Sequence, residues 1–168
     1  KSLYTFILKN ANVINLSEYA STLITTFVDF SLAADIGVKL IVDDTSLYSE
    51  YSVSDCIDLA NVFYGKLSRV SVRAYSGHAL RVSKSTISID NCNLSTEQGA
   101  NVIYVVNGLE SQYSDTNLEG NLTIILRDST INGKTADGNG VYLEQGASVS
   151  LNNCILSIKD GLGKAITG

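Results

Sequence analysis

Two groups of side chains have the types needed for chemistry on a polysaccharide or a metal ion. Carboxylates gathered on one face, alone or with Lys or Arg, bind calcium or cleave glycosidic bonds. Asp43, Asp44 and Asp90 follow apolar runs, with Lys66 placed among them. The second group is Asp58, Arg81, Tyr104 and Glu144. Its members fall near later apolar runs at positions that we interpret as non-equivalent, so the sequence predicts no catalytic set and no enzyme.

The elements that position these residues come from a phrase repeated along the chain. It reads apolar, any, apolar, polar, polar, small, any, apolar, and we call its second apolar residue the anchor. Successive anchors are separated by 34, 23, 24, 37 and 25 residues. The anchors are Leu8, Val42, Gly65, Ile89, Leu126 and Leu151, the copy around Gly65 being degenerate. A period of this length predicts a solenoid.

Each phrase predicts a strand, a sharp corner and a second strand. Its apolar residues alternate, which is the period of a strand. The residue two after the anchor is Asn or Asp in five copies, and these types tolerate the left-handed conformation of a tight corner. They are Asn10, Asp44, Asn91, Asp128 and Asn153. Apolar segments at 56–59, 79–82, 102–105 and 141–143 add a third strand, which predicts a parallel β-helix. The mixed apolar types do not match a leucine-rich repeat.

Equivalent residues of such coils should stack in columns. The column three after the anchor is predicted to be always small: Ala11, Thr45, Ser68, Cys92, Ser129 and Cys154. The column just after the anchor is predicted to alternate in charge, and opposite charges on neighbouring strands stabilise their pairing. Its members are Lys9, Asp43, Lys66, Asp90, Arg127 and Asn152.

The cysteines and the histidine are predicted to be structural. Cys92 and Cys154 share a column two coils apart, a distance of about 9–10 Å at the usual strand spacing, whereas a disulfide needs less than about 7 Å. Cys56 belongs to another strand, so all three are interpreted as small packing residues. His78 follows Gly77 at a coil start, which favours a turn role, and no Ser-His-Asp motif accompanies it.

Composition limits the classes of function. The 168 residues carry a formal charge of −5 and no basic cluster, which argues against a nucleic-acid surface. No run of eighteen apolar residues occurs, so no membrane span is predicted, and no cofactor or metal is expected. The chain has no Met and no basic-then-apolar start. We therefore interpret residues 1–168 as one β-helix domain cut from a longer solenoid, with any secretion signal removed.

The segment from Asp137 to Gly168 resembles a known family. The pattern Gly-x-Gly-Val-Tyr-Leu-x-x-Gly-Ala-x-Val-x-Leu-x-x-x-Ile, from Gly138 to Ile155, is similar to the coils of pertactin-type autotransporter passenger domains. The resemblance implies an all-β, right-handed parallel β-helix of about six or seven coils with three strands each. It also implies export to the surface of a Gram-negative bacterium, often as an adhesin, aggregation factor or toxin. No Arg-Gly-Asp tripeptide is present.

Insertions and tyrosines are the predicted binding surfaces. Extra residues fall at about 28–37, where packing on the coil is expected, and at 109–120, a polar stretch that is either a binding loop or a tolerated insertion. The predicted binding residues are Glu110, Gln112, Tyr113, Asp115, Asn117, Glu119, Tyr104 and Tyr142. Tyrosines expected to be exposed are Tyr48, Tyr51, Tyr75, Tyr104, Tyr113 and Tyr142, either for recognition or as structural ladders.

The predicted function is therefore binding. The chain is expected to be the passenger of a surface or secreted bacterial protein that contacts a host receptor, a matrix protein, a glycan or a second copy of itself. The alternative is a polysaccharide-processing β-helix, since pectate-lyase-like and phage tailspike proteins share this fold.

Overall fold

A computed structural model describes residues 2–19, 21–26, 36–60, 62–98, 100–106, 123–133, 138–144, 147–159 and 163–168, and these residues form strands and turns without a helix. In chain order the strands are β1 (Ser2–Lys9), β2 (Asn12–Asn15), β3 (Ile24–Thr26), β4 (Ile36–Asp43), β5 (Ser46–Ser49), β6 (Ile57–Ala60), β7 (Val62–Ser68), β8 (Ser71–Ala74), β9 (Leu80–Ser83), β10 (Thr86–Asp90), β11 (Asn93–Thr96), β12 (Ile103–Val106), β13 (Thr123–Arg127), β14 (Thr130–Gly133), β15 (Val141–Leu143), β16 (Ser148–Asn152), β17 (Ile155–Ile158) and β18 (Ile166–Thr167).

Every third strand belongs to the same sheet. The first sheet has the order β1-β4-β7-β10-β13-β16, the second β17-β14-β11-β8-β5-β2, and the third β18-β15-β12-β9-β6-β3. All pairings are parallel, so each coil contributes one strand to each of three six-stranded sheets. The chain is a right-handed parallel β-helix of six coils, which confirms the predicted fold class.

The core follows from the alternation of apolar residues. In β10, Ile87 and Ile89 are buried, while Thr86 is exposed. Ile89 pairs with Leu67 in the coil before and with Leu126 in the coil after. Apolar side chains therefore stack along the axis of the solenoid and are removed from water, which is the main favourable contribution to folding.

The corner between the first and second sheets has left-handed backbone in every coil. The φ angles there are 52° at Asn10, 45° at Asp44, 53° at Arg69, 52° at Asn91, 48° at Asp128 and 52° at Asn153. The prediction made for the five Asn and Asp residues is confirmed. The corners are also bonded from coil to coil, since the Asn91 amide donates to the Arg127 carbonyl at 3.0 Å.

The register of the third coil corrects the sequence analysis. Val42 pairs with Leu67, and Gly65 pairs with Leu40, so the anchor is Leu67 instead of Gly65. A register shift between Val38 and Lys39 leaves Phe63 as an extra residue, 71% exposed, although the pattern treated it as an inward apolar position.

Two predicted columns change with this register. The position three after the anchor is Val70, so that column is not always small. The position just after the anchor is Ser68, which pairs with Asp43 and Asp90, instead of Lys66. The predicted alternation of charge is therefore wrong at this coil.

The third-strand segments lie within one residue of their predicted positions, whereas the predicted insertions lie mostly outside the described residues. Ile57, Leu80, Ile103 and Val141 are partners in successive coils. The predicted insertion at 109–120 lies outside the described residues. Of the predicted insertion at 28–37, only residues 36 and 37 are described, and they belong to β4. Within the described residues, no helix is long and apolar enough to cross a membrane.

Candidate recognition face on the third sheet

The outward side chains of the third sheet form one continuous column. All but the last come from the residue after a buried apolar one, because side chains alternate along a strand. In coil order the column is Thr25, Asp58, Arg81, Tyr104, Tyr142 and Thr167. We call Asp58, Arg81, Tyr104 and Tyr142 the third-sheet row, and the surface formed by the row with its neighbours His78 and Glu144 the third-sheet face. The interpretation of Asp58, Arg81 and Tyr104 as non-equivalent is wrong, since the three are direct partners in adjacent strands.

An ion pair occupies one end of the row. Arg81 Nη1 lies 3.3 Å from Asp58 Oδ2, and the two side chains keep 24% and 32% of their surface exposed. Burial raises the pKa of Asp58 above the usual value of an aspartate, and the Arg81 charge opposes that rise only in part. Because the Asp58 side chain is only partly buried, its carboxylate can accept a hydrogen bond from a ligand in addition to the contact with Arg81.

His78 lies in the turn that leads into the row. Its backbone amide donates to Asp55 Oδ1 at 2.9 Å, and its ring Nδ1 lies 2.9 Å from the Asn101 carbonyl oxygen, to which it donates in the Nδ1–H tautomer. The imidazole also packs on Tyr104, with ring centroids 4.8 Å apart. This geometry agrees with the turn role predicted for His78 and adds an aromatic contact to the row.

Two tyrosines from adjacent coils form the other end of the row. The rings of Tyr104 and Tyr142 have centroids 5.3 Å apart and planes inclined by 57°. The Tyr104 hydroxyl donates to Glu144 Oε1 at 2.7 Å, so Glu144 lies beside the row although it is not in the column. Both rings are half-buried, which fixes them and leaves part of each accessible. They are the two predicted binding residues that the structure describes; Glu110, Gln112, Tyr113, Asp115, Asn117 and Glu119 lie outside the described residues.

A ladder of asparagines supports the turns beneath the face. Asn101 Oδ1 accepts bonds from the backbone amide and the side-chain amide of Asn139, at 2.9 and 2.8 Å. Asn139 Oδ1 in turn accepts from the Lys164 amide at 2.8 Å. These bonds cross from coil to coil and hold the turn geometry, so the face is built on rigid elements.

The other predicted tyrosines form separate contacts near the second sheet. Tyr51 and Tyr75 pack edge to face, with ring centroids 6.3 Å apart. The Arg73 guanidinium lies 4.9 Å from the Tyr48 ring centroid and also pairs with Glu97. Of the predicted set, Tyr51 is exposed, Tyr48, Tyr75, Tyr104 and Tyr142 are half-buried, and Tyr113 lies outside the described residues.

The corner carboxylates are held by arginines of neighbouring coils. Arg69 lies 2.6 Å from both Asp43 and Asp44, and Arg127 lies 3.8 Å from Asp90. The hydrogen bond from Arg69 lowers the pKa of Asp44. Sequence reasoning placed Lys66 among these carboxylates and missed Arg69, because the register of its coil was wrong. Among the residues the structure describes, no group of His, Cys, Asp and Glu could hold a metal ion.

The cysteines are free thiols that fill space. Cys56 and Cys92 are buried and Cys154 is half-buried, with no disulfide between them. Burial raises the pKa of Cys56 to about 12 and that of Cys92 to about 11. Both thiols therefore stay protonated at neutral pH and behave as small apolar residues, which supports the packing role predicted for them.

Comparison with known proteins gives no relative: no family model, no curated protein and no solved structure matches the chain. The chemistry of the third-sheet face is therefore the basis for proposing a function.

Proposed function

We propose that the chain is a binding scaffold, the passenger of an autotransporter-like bacterial surface or secreted protein, and that it binds its partner on the third-sheet face. The observation that carries this proposal is the pair Tyr104 and Tyr142, fixed at equivalent positions of adjacent coils beside charged groups. Tyrosine supplies a large contact area and a hydroxyl at a small cost in conformational entropy, which suits recognition. The sequence resemblance to pertactin-type passengers supports the cellular setting.

The polar groups of the face favour binding over catalysis. Asp58 is paired with Arg81, and the Glu144 carboxylate accepts the Tyr104 hydroxyl. A general acid or base transfers a proton to or from the substrate, whereas Asp58 and Glu144 are each fixed by a bond to a neighbouring side chain and offer their remaining lone pairs only as hydrogen-bond acceptors. Candidate partners are a host receptor, a matrix protein, a glycan or another copy of the chain.

A polysaccharide-processing enzyme is the second candidate, and one observation favours it. Asp58, Arg81 and Tyr104 align in a single column, which sequence reasoning had not recognised. Incubation of the chain with polygalacturonate or capsular polysaccharide, with and without calcium, tests this candidate. New reducing ends would replace the binding proposal with an enzymatic one.

Adhesion of protein-coated beads to host and bacterial cells tests the binding proposal. We expect beads carrying the chain to be retained and beads carrying Tyr142→Ser to lose most of that retention. Tyr64→Ser is the matched control, because Tyr64 is 44% exposed on the first sheet, away from the row. A further variant replaces 109–120 by a Gly-Ser link.

The pattern of retention decides between the surfaces. If only the Gly-Ser variant loses retention, the binding site lies on the insertion instead of the third-sheet face. If beads carrying the unchanged chain are not retained, the binding proposal is contradicted. The full-length gene tests the family independently, since a C-terminal translocation domain is expected and a trimerising tail-fibre module would refute the autotransporter setting.

A further inference from the structure

The spacing along the third-sheet row matches one class of ligand. Tyr104 and Tyr142 are direct partners in adjacent strands, and their ring centroids are 5.3 Å apart. Successive coils repeat at about 4.8 Å, whereas an extended peptide advances about 3.3 Å per residue. Each hexose of an extended oligosaccharide advances by nearly the coil repeat. A sugar chain lying along the solenoid axis would therefore place about one ring against each coil, whereas the residues of an extended peptide would not stay in step with the coils.

The groups on the face fit sugar hydroxyls. A hydroxyl both donates and accepts a hydrogen bond. Asp58 and Glu144 provide acceptors, Arg81 provides donors, and the phenols of Tyr104 and Tyr142 provide both. The tyrosine rings add apolar surface for the C–H groups of a sugar ring. A few polar groups around an aromatic surface are the usual composition of a small-molecule site.

The charges of the face decide which sugars fit. Asp55, Asp58 and Glu144 place three carboxylates in or beside the row, against the two cations Arg81 and Lys164, the latter of which lines a pocket with Glu144. Arg81 is already paired with Asp58 at 3.3 Å. Uronate and sulfate groups would therefore be repelled, and the formal charge of −5 on the whole chain acts in the same direction.

From the spacing, the hydroxyl-binding groups and the charge, we infer that the third-sheet face binds an oligosaccharide without acidic groups, lying along the axis of the solenoid. This inference rests on the proposed binding function and specifies its ligand. Tyr104 and Tyr142 contact consecutive sugar rings, while Asp58, Arg81 and Glu144 bond to hydroxyls on either side.

Calorimetric titration of the 168-residue chain tests the inference. The probes are extended, β-1,4-linked uncharged hexasaccharides of glucose, mannose, galactose and N-acetylglucosamine, with hexagalacturonate as the acidic comparator. We expect at least one uncharged probe to bind about tenfold more tightly than hexagalacturonate. Tyr142→Ser should weaken that binding about tenfold, because it removes an aromatic contact. Tyr64→Ser, on the first sheet, should leave it unchanged.

A conservative variant keeps the test valid if Tyr142→Ser does not fold. Tyr104→Phe retains the ring and removes the hydroxyl that donates to Glu144, so binding should weaken severalfold while the melting temperature changes little. Tighter binding of hexagalacturonate than of every uncharged probe would overturn the inferred ligand class. An equal loss with Tyr64→Ser would overturn the inferred location.

Failure of the inference is distinguishable from failure of the proposed function. If no hexasaccharide binds while coated beads still adhere to cells through the row, the inference is overturned and the binding function stands. If neither beads nor probes bind, both are overturned.

Discussion

Single residues at the corners set the path of the chain from the first sheet to the second. A left-handed conformation costs an ordinary L-residue roughly 1–2 kcal/mol, and Asn and Asp less. Arg69 adopts this conformation with φ 53° and pairs with Asp43 and Asp44. The Asn and Asp corners could be predicted from the sequence because these types have a known preference. Arg69 could not, because its place depends on partners in another coil.

Replacing Asn91 tests the corner geometry. Asn91 has φ 52° and an exposed side chain, so Asn91→Ala should reduce the free energy of unfolding by about 1 kcal/mol through backbone strain. Asn91→Gly is the matched control and should lose less, since Gly adopts this conformation without a Cβ penalty. Urea unfolding measures both. An Ala variant as stable as the Gly variant would show that the corner is not left-handed.

At the scale of elements, the alternation of apolar residues predicted the strands, and the pairing of strands in adjacent coils aligns the outward residues of the third sheet. The third-strand segments were predictable because each has the same short apolar pattern. The register of β7 was not, because the extra residue Phe63 is apolar yet exposed. That error hid the partners of Asp43 and Asp44. Asp58, Arg81 and Tyr104 each lie between two inward apolar residues of their segments. Aligning those segments by their apolar residues would have shown from the sequence that the three positions are equivalent.

Close approach of coils at a turn gives a prediction at the same scale. A Cβ on Gly138 would overlap the backbone carbonyl of Ala100, which cannot move without displacing a turn. Gly138→Ala should therefore destabilise the chain by about 1–3 kcal/mol in urea unfolding, the usual cost of overpacking.

Gly65→Ala is the matched control for this change. The new Cβ would meet the end of the Ile87 side chain, which can rotate, so the loss should be smaller. A larger loss at Gly65 than at Gly138 would contradict the stacking of the turns.

At the scale of the whole molecule, six coils repeat one arrangement, and the proposed function depends on the side chains that point outward from the third sheet. The repeat could be predicted from the sequence because it recurs along the chain. The proposed ligand could not, because the repeat does not show which of the outward columns a partner would contact. The stretch 109–120, where sequence reasoning placed six of its eight binding residues, lies outside the described residues. The two that are described, Tyr104 and Tyr142, lie together on the face.

Hydroxyl-radical footprinting of the complex with the tightest-binding hexasaccharide tests the central claim, that the third-sheet face is the binding surface. Mass spectrometry reports the oxidation of each aromatic side chain with and without the ligand. We predict that oxidation of Tyr104 and Tyr142 falls on binding, while Phe63 and Tyr64, exposed on the first sheet, are unaffected. Protection of Phe63 and Tyr64, with Tyr104 and Tyr142 oxidised as before, would contradict the account.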